Sequence, residues 1–66
     1  MMRLPKFFVF LGTDKQWYWA LKAGNGETVA HSEGYTTLYS AKRGAAATRR
    51  AARFALVEVD HTDAIR

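Results

Sequence analysis

Residues 16–34 read QWYWALKAGNGETVAHSEG, and this stretch predicts a β-hairpin that turns at Asn25-Gly26. Both turn residues tolerate positive φ, which a two-residue type I′ turn requires at its two central positions. On either side of the turn, apolar side chains recur at every second position, as they do in half-buried strands. We therefore predict strands at residues 16–23 and 27–33.

The predicted turn also sets the register of the two strands. A two-residue loop places Leu21 opposite Ala30 and, two residues further on, Trp19 opposite Ser32. Small residues then face large ones, which leaves room for the indole ring. A bulge near Thr28 would shift this register.

Alternation along the first hairpin strand separates two faces of the sheet, because successive side chains point to opposite sides. Trp17 and Trp19 share one face with Leu21, and Tyr18 and Ala20 lie on the other. The tryptophans could serve as stacking platforms for nucleic-acid bases. We favour a place in the core, under a helix, because they share their face with an aliphatic side chain.

The rest of the chain extends the hairpin to the order β-β-β-α-β. A strand at residues 6–11 precedes it. Thr37 is a suitable N-cap for a helix over residues 38–52, and a last strand is predicted at residues 55–60. Gly44 interrupts the helix at a cost near 1 kcal/mol relative to alanine, and we expect it to allow close approach to the sheet. This order predicts an α+β fold, an antiparallel sheet packed on one helix.

The length of the chain predicts one domain over residues 1–66 that needs outside support. A chain this short buries only about 60% of its unfolded surface. Disulfides, a metal or a partner subunit usually compensate. There is no cysteine, and only His31 and His61 could act as imidazole ligands, with no ligand pattern around them. We therefore expect a homo-oligomer without a cofactor.

Charge and hydropathy indicate a protein of the cytoplasm. The formal net charge of +4 is modest and is weak evidence for any partner. The longest apolar run covers the five residues 7–11. This run is shorter than the roughly 7–15 residues of a signal-peptide core and the about 20 residues of a membrane span. We expect a cytoplasmic location and no membrane contact.

Three motifs carry a family resemblance. Residues 17–23 (WYWALKA), 25–27 (NGE) and 32–35 (SEGY) resemble the YegP-like family of small, uncharacterised, mostly bacterial proteins. The match runs without gaps over about residues 7–52, and Gly44 stands where the family has a helix glycine. The resemblance implies a β-β-β-α-β unit that, when present once, pairs into a homodimer with one continuous sheet and exchanged C-terminal strands. It implies no catalytic site.

The outer face of the sheet departs from the family pattern. Phe8, Phe10 and Tyr18 lie where the family usually has polar residues. An exposed apolar patch of this kind often marks a binding surface, so we predict that a protein partner binds here. The alternative is burial by the dimer or by the N-terminal arm around Leu4. The chain could be a phage or mobile-element inhibitor of a host complex, which only its size indicates.

The predicted helix departs from the family pattern as well, since it is rich in alanine and all of its charges are basic. No acidic residue stands between Glu33 and Glu58, and the helix contains Lys42, Arg43, Arg49, Arg50 and Arg53. Phosphate contacts need such clusters, and nucleic-acid binding is therefore our second hypothesis. The alternative is an ordinary solvated face, because no aromatic residue is interleaved with the charges and no nucleic-acid motif is present.

No group of residues predicts an enzyme. Ser32 and Ser40 have no adjacent base, and residues 24–26 form a hairpin turn rather than a strand-to-helix phosphate loop. The sequence DHTD at residues 60–63 offers metal-ligand types but no second cluster. We predict a non-catalytic protein without a metal site.

Overall fold

The computed structural model describes residues 3–59. In this range it contains strands β1 (Lys6–Leu11), β2 (Trp17–Lys22) and β3 (Thr28–His31), followed by helix α1 (Leu38–Arg53). The strands form one antiparallel sheet in the order β1-β2-β3. Helix α1 packs on β1 and β2. The predicted α+β class, with an antiparallel sheet packed on one helix, is confirmed.

The core lies between α1 and the tryptophan face of the sheet. Trp19 is only 7% exposed, and Ala41 and Ala45 of α1 are buried with it. The ring of Phe7 meets the indole of Trp19 edge-on, with 5.2 Å between centroids and an interplanar angle of 69°. The sheet thus supplies the volume and the helix supplies small side chains that allow close packing. Trp17 is half-buried.

Gly44 lets α1 approach the segment that follows β3. In that segment Tyr35 forms an isolated bridge with Trp17, and the two residues exchange backbone hydrogen bonds of 2.7 and 2.8 Å. A Cβ atom placed on Gly44 would overlap the hydroxyl group and ring of Tyr35. A close approach is therefore present at this glycine, but it is to the Tyr35 side chain rather than to a strand of the sheet. At the start of α1, Thr37 caps the helix, and its Oγ1 accepts a 3.0 Å hydrogen bond from the backbone N–H of Ser40.

The loop between β2 and β3 is not the predicted two-residue type I′ turn. The N–H of Gly26 donates to the carbonyl of Ala23 at 2.9 Å, and the N–H of Ala23 donates to the carbonyl of Glu27 at 2.8 Å, so residues 24–26 form a three-residue loop. Within that loop only Gly26 has positive φ, at 92°. Asn25 instead accepts a hydrogen bond from the N–H of Glu27 on its side-chain oxygen. This hydrogen bond gives the backbone N–H of Glu27 a partner, while the backbone of Asn25 does not adopt positive φ.

The predicted register is nevertheless correct over most of the hairpin. Leu21 lies opposite Ala30, as the sequence predicts, but Lys22 lies opposite Thr28. Val29 is therefore an extra residue in β3, and the structure has an irregularity at this point. The longer loop displaces the pairing by one residue and the bulge restores it.

The loop between β1 and β2, residues 13–15, has the same three-residue length and the same hydrogen-bond pattern as the loop between β2 and β3. Lys15 N–H donates to Gly12 O at 3.0 Å, and Gly12 N–H donates to Gln16 O at 2.7 Å. The left-handed position is filled by Lys15, with φ of 68°, where the second loop has Gly26. Asp14 supplies the side-chain oxygen, which accepts from the N–H of Gln16 at 3.1 Å.

The predicted strand at residues 55–60 is not formed within one chain. Residues 55–59 carry no strand, and Asp60 lies outside the described residues. The side chains of Leu56, Val57 and Val59 are 92%, 96% and 67% exposed. A strand needs a neighbouring backbone to bond, and these residues have none within the described part of their own chain. Their pairing with a second copy stays a prediction.

Candidate functional site

The outer face of the sheet, away from α1, brings three aromatic rings together. We call Phe8, Phe10 and Tyr18 the outer patch. Phe10 lies opposite Tyr18 in the β1–β2 pairing, and their rings stack with 5.8 Å between centroids and 20° between planes. Phe8 and Phe10 are 47% and 45% exposed. The three side chains therefore share one face, and whether they bind a partner stays a prediction.

A groove of about 480 Å³ runs across this face beside the patch. Phe8 and Phe10 form its apolar wall, and the buried Ala20 of β2 lies at its floor. The groove is completed by three side chains that sequence reasoning did not assign to a site: Lys22, Thr28 and His31. The signal that could have found His31 is the register, because His31 lies opposite Ala20.

A second, more polar concavity of about 360 Å³ adjoins the groove. The two share Phe8 and Lys22, and the second one also has Arg3 and Lys6 in its lining. The ammonium group of Lys22 lies 6.0 Å from the centre of the Phe8 ring, within cation–π range. The apolar groove therefore leads into a region with three positive charges.

A carboxylate fixes the third ring of the outer patch. The hydroxyl of Tyr18 donates a short hydrogen bond to Asp14 Oδ2, while the other oxygen of Asp14 accepts from Gln16 N–H. The hydrogen bond to the carboxylate raises the pKa of Tyr18 above its usual value near 10. The pKa of Asp14 is lowered, first by the bond from Tyr18 and then by the backbone bond from Gln16. Asp14 is a further residue that sequence reasoning did not assign to a site.

This pair predicts a pH dependence with a definite sign. Because the folded-state pKa of Tyr18 is raised, its stabilising contribution is complete below about pH 10 and is lost as the pH rises through the raised value. The lowered pKa of Asp14 gives a contribution that is present above pH 3.8 and is lost as the pH falls through the lowered value. We expect Asp14→Asn to bring the pKa of Tyr18 down towards 10.

The measurement is an NMR titration of the Tyr18 ring carbon in the wild type and in Asp14→Asn. Glu27→Gln is the matched control, since it removes a carboxylate that makes no bond to Tyr18. We expect the Glu27 variant to titrate like the wild type. An Asp14→Asn titration curve that superimposes on the wild-type curve would show that the carboxylate of Asp14 does not raise the pKa of Tyr18.

The basic residues of the helix form a second candidate surface. At about 100° per residue, their positions fall within an arc of about 120° on α1 that begins, at Arg49, about 40° from the buried Ala45. All are exposed: Lys42, Arg43, Arg49, Arg50 and Arg53. The structure therefore places the five predicted residues together.

No aromatic residue stands between Lys42 and Arg53, as the sequence shows, but a ring lies beside an arginine at each end of this cluster. The guanidinium of Arg43 lies 5.8 Å from the ring centre of Tyr39, and that of Arg53 lies 5.1 Å from the ring centre of Phe54. Both rings are exposed, at 68% and 79%. The spacing of four residues between Tyr39 and Arg43 is the sequence signal that could have found the first pair.

Other kinds of site find no support in residues 3–59. In that range no three or more His, Cys, Asp or Glu side chains are grouped so that they could hold a metal ion. Over the same residues, no helix has both the length and the apolar character needed to cross a membrane. Residues 60–63, considered above as metal ligands, lie outside the described residues.

The three-stranded sheet with one helix on its tryptophan face defines a small α+β domain. Residues 13–58 match the family described as "Domain of unknown function (DUF1508)", the YegP-like domain. The chain belongs to this family.

A solved structure agrees with the fold. The chain is similar to the protein in an "NMR solution structure of the protein from Haloferax volcanii", with a TM-score of 0.75 and 32% sequence identity. The similarity covers 89% of this chain and 100% of that one. No curated protein matches the chain.

Proposed function

We propose that the protein is a small, non-catalytic and homodimeric protein-interaction module of the cytoplasm, which binds a protein partner through the outer patch. The observation that carries this proposal is the exposure of Phe8 and Phe10, which are nearly half accessible to water on a face that α1 does not cover. Contiguous exposed aromatic rings are uncommon on a protein that has no partner for them, and aromatic side chains are enriched at interfaces.

The surroundings of the patch indicate the chemistry of the partner. The groove beside Phe8 and Phe10 accepts an apolar side chain, and Arg3, Lys6 and Lys22 stand at its end. A segment that carries apolar residues next to acidic ones complements both parts. Burial of an apolar side chain in the groove would supply most of the affinity, while the charges would steer the approach and select the partner.

A homodimer is proposed on two supports. Leu56, Val57 and Val59 extend from the end of α1 with exposed side chains, and an exchanged C-terminal strand would give them a partner. The short chain also gains the core that it lacks alone. We further propose, from its size of 66 residues, that the protein is a phage or mobile-element inhibitor of a host complex.

The dimer is tested by light scattering on the purified protein. We expect a mass of twice the 7.5 kDa of the chain. A species of 7.5 kDa at micromolar concentration would contradict the dimer. Deletion of residues 55–66 should then convert the dimer to a monomer if strand exchange holds it together.

The outer patch is tested with the double variant Phe8→Ser and Phe10→Ser. The tagged protein is used for capture from cells of its source, and the partner is identified by mass spectrometry and then purified. We expect the double variant to weaken binding of the purified partner at least about tenfold, because it removes the apolar anchors of the groove. The circular dichroism spectrum should stay that of the wild type, since both rings are half exposed.

The matched control is the double variant Leu11→Ser and Val29→Ser. It removes two side chains that are exposed to a similar degree, at 51% and 58%, and that do not line the groove. Partner binding should survive this change. If the control and the patch variant weaken binding equally, or if neither does, the outer patch is not the binding surface.

A further inference from the structure

Helix α1 carries a continuous positive stripe on its exposed surface. Between Tyr39 and Arg53 the stripe is about 21 Å long, at 1.5 Å per residue. The five cations of α1 lie along it, and the helix contains no acidic residue that could neutralise them. Half of the ten lysines and arginines of the chain therefore stand on one face of one helix.

The stripe has an exposed aromatic ring at each end. Tyr39 stands in the first turn of α1, and Phe54 follows its last residue. Each ring lies within cation–π distance of an arginine of the stripe, Arg43 or Arg53. Both rings are mostly exposed, so each leaves surface to which a further flat group could stack.

We propose that this stripe binds single-stranded nucleic acid. The arginines and Lys42 would contact successive phosphates, and unpaired bases would stack on Tyr39 and Phe54. Grooves that hold single strands combine these two elements, a positive track for the backbone and aromatic platforms for the bases. A duplex would use only the charges, because its bases are already stacked on one another and offer no free face to the rings.

The stripe and the outer patch lie on opposite sides of the molecule. Helix α1 covers the inner face of the sheet, whereas Phe8 and Phe10 lie on the outer face. Binding at one surface therefore leaves the other free. The nucleic-acid proposal does not rest on the protein-binding proposal, and either one can fail alone.

Fluorescence anisotropy with short labelled oligouridylate and oligodeoxythymidylate tests the proposal, and the two probes distinguish RNA from DNA. If all five cations contact phosphates, the logarithm of the binding constant should fall with the logarithm of salt with a slope of about −3.5. That slope corresponds to a loss of about a hundredfold between about 50 and 200 mM salt. A duplex of matched length should bind more weakly than either single strand.

The charges and the rings are tested separately. We expect Arg49→Glu with Arg50→Glu to abolish binding, and Arg49→Lys with Arg50→Lys to retain it, because phosphate contact needs the charge. The control Lys6→Glu with Lys15→Glu makes the same change in net charge elsewhere and should leave most of the binding. Tyr39→Ala should weaken binding about tenfold without altering the salt slope. Tyr39→Phe should bind like the wild type, because it keeps an aromatic ring for stacking.

Three results would overturn the proposal. The first is absence of binding by the wild type at about 50 mM salt. The second is equal loss of binding in the two double-glutamate variants, which would mean that only overall charge matters. The third is unchanged binding in Tyr39→Ala together with equal affinity for duplex or for anionic lipid vesicles, which would make the stripe a general polyanion surface. Circular dichroism of each variant shows that α1 is intact before binding is compared.

Discussion

Trp19→Ala is expected to cost about 3–5 kcal/mol of folding free energy, as truncation of a buried aromatic residue usually does. Trp19 is 7% exposed, and its indole is the large side chain that fills the space between β2 and the alanines of α1. A domain of this size rarely has more than about 3–5 kcal/mol to lose. The variant should therefore be largely unfolded at room temperature.

Urea unfolding followed by circular dichroism measures this effect. Tyr39→Ala is the matched control, because it truncates an aromatic residue that is 68% exposed and should cost less than about 1 kcal/mol. Trp19→Phe should be much milder than Trp19→Ala. The indole N–H of Trp19 is buried without a hydrogen-bond partner among the described residues, so its removal sacrifices no bond. A cooperative Trp19→Ala unfolding curve near that of the wild type would show that the core lies elsewhere.

Gly44→Ala is expected to destabilise the protein by about 1–3 kcal/mol, although alanine is the better helix former by about 1 kcal/mol. The added methyl group would overlap the hydroxyl and ring of Tyr35, whose backbone is fixed by two hydrogen bonds with Trp17. Relief would require either the Tyr35 ring to leave its position against α1 or α1 to move away from it. The same urea titration measures the change.

The control for Gly44→Ala is the reverse substitution at an exposed site of the same helix. Ala47→Gly should cost about 1 kcal/mol from helix propensity alone, since Ala47 is exposed. If propensity governed both sites, Gly44→Ala would stabilise the protein by a similar amount. A stabilised Gly44→Ala variant would therefore disprove the close contact between α1 and Tyr35.

The two hairpin loops show where sequence reasoning succeeds and where it stops. The pair Asn25-Gly26 correctly predicted a turn, because both residues are favoured in turns and depleted in strands. The type of turn was wrong, because the side chain of Asn25 found a bond to the N–H of Glu27 that competes with a left-handed backbone. Lys15 takes up positive φ with no signal in its residue type, since its loop is set by the hydrogen bonds around Gly12 and Gln16.

The candidate sites also combine features that the sequence predicted with features that it did not. Period-two alternation was enough to place Phe8, Phe10 and Tyr18 on one face, because strand geometry sends alternate side chains to opposite sides. The hydrogen bond from Tyr18 to Asp14 was missed, because it depends on the conformation of the loop between β1 and β2. The cations beside the groove were missed because Arg3 and Lys22 are far apart in sequence and meet only in the folded chain.

The sequence by itself determined the order of the three strands and the helix, the two faces of the sheet and the basic face of the helix. Each of these follows from local periodicity, because the geometry of a strand or a helix fixes the side to which each successive side chain points. Only the tertiary structure decided the loop types, the bulge at Val29 and the pairing of Tyr35 with Trp17. It also decided which rings remain open to water. The loop types depend on side-chain hydrogen bonds that Asp14 and Asn25 can make but that their residue type does not dictate. The other features depend on contacts between residues that are distant along the chain, and no local pattern encodes such contacts.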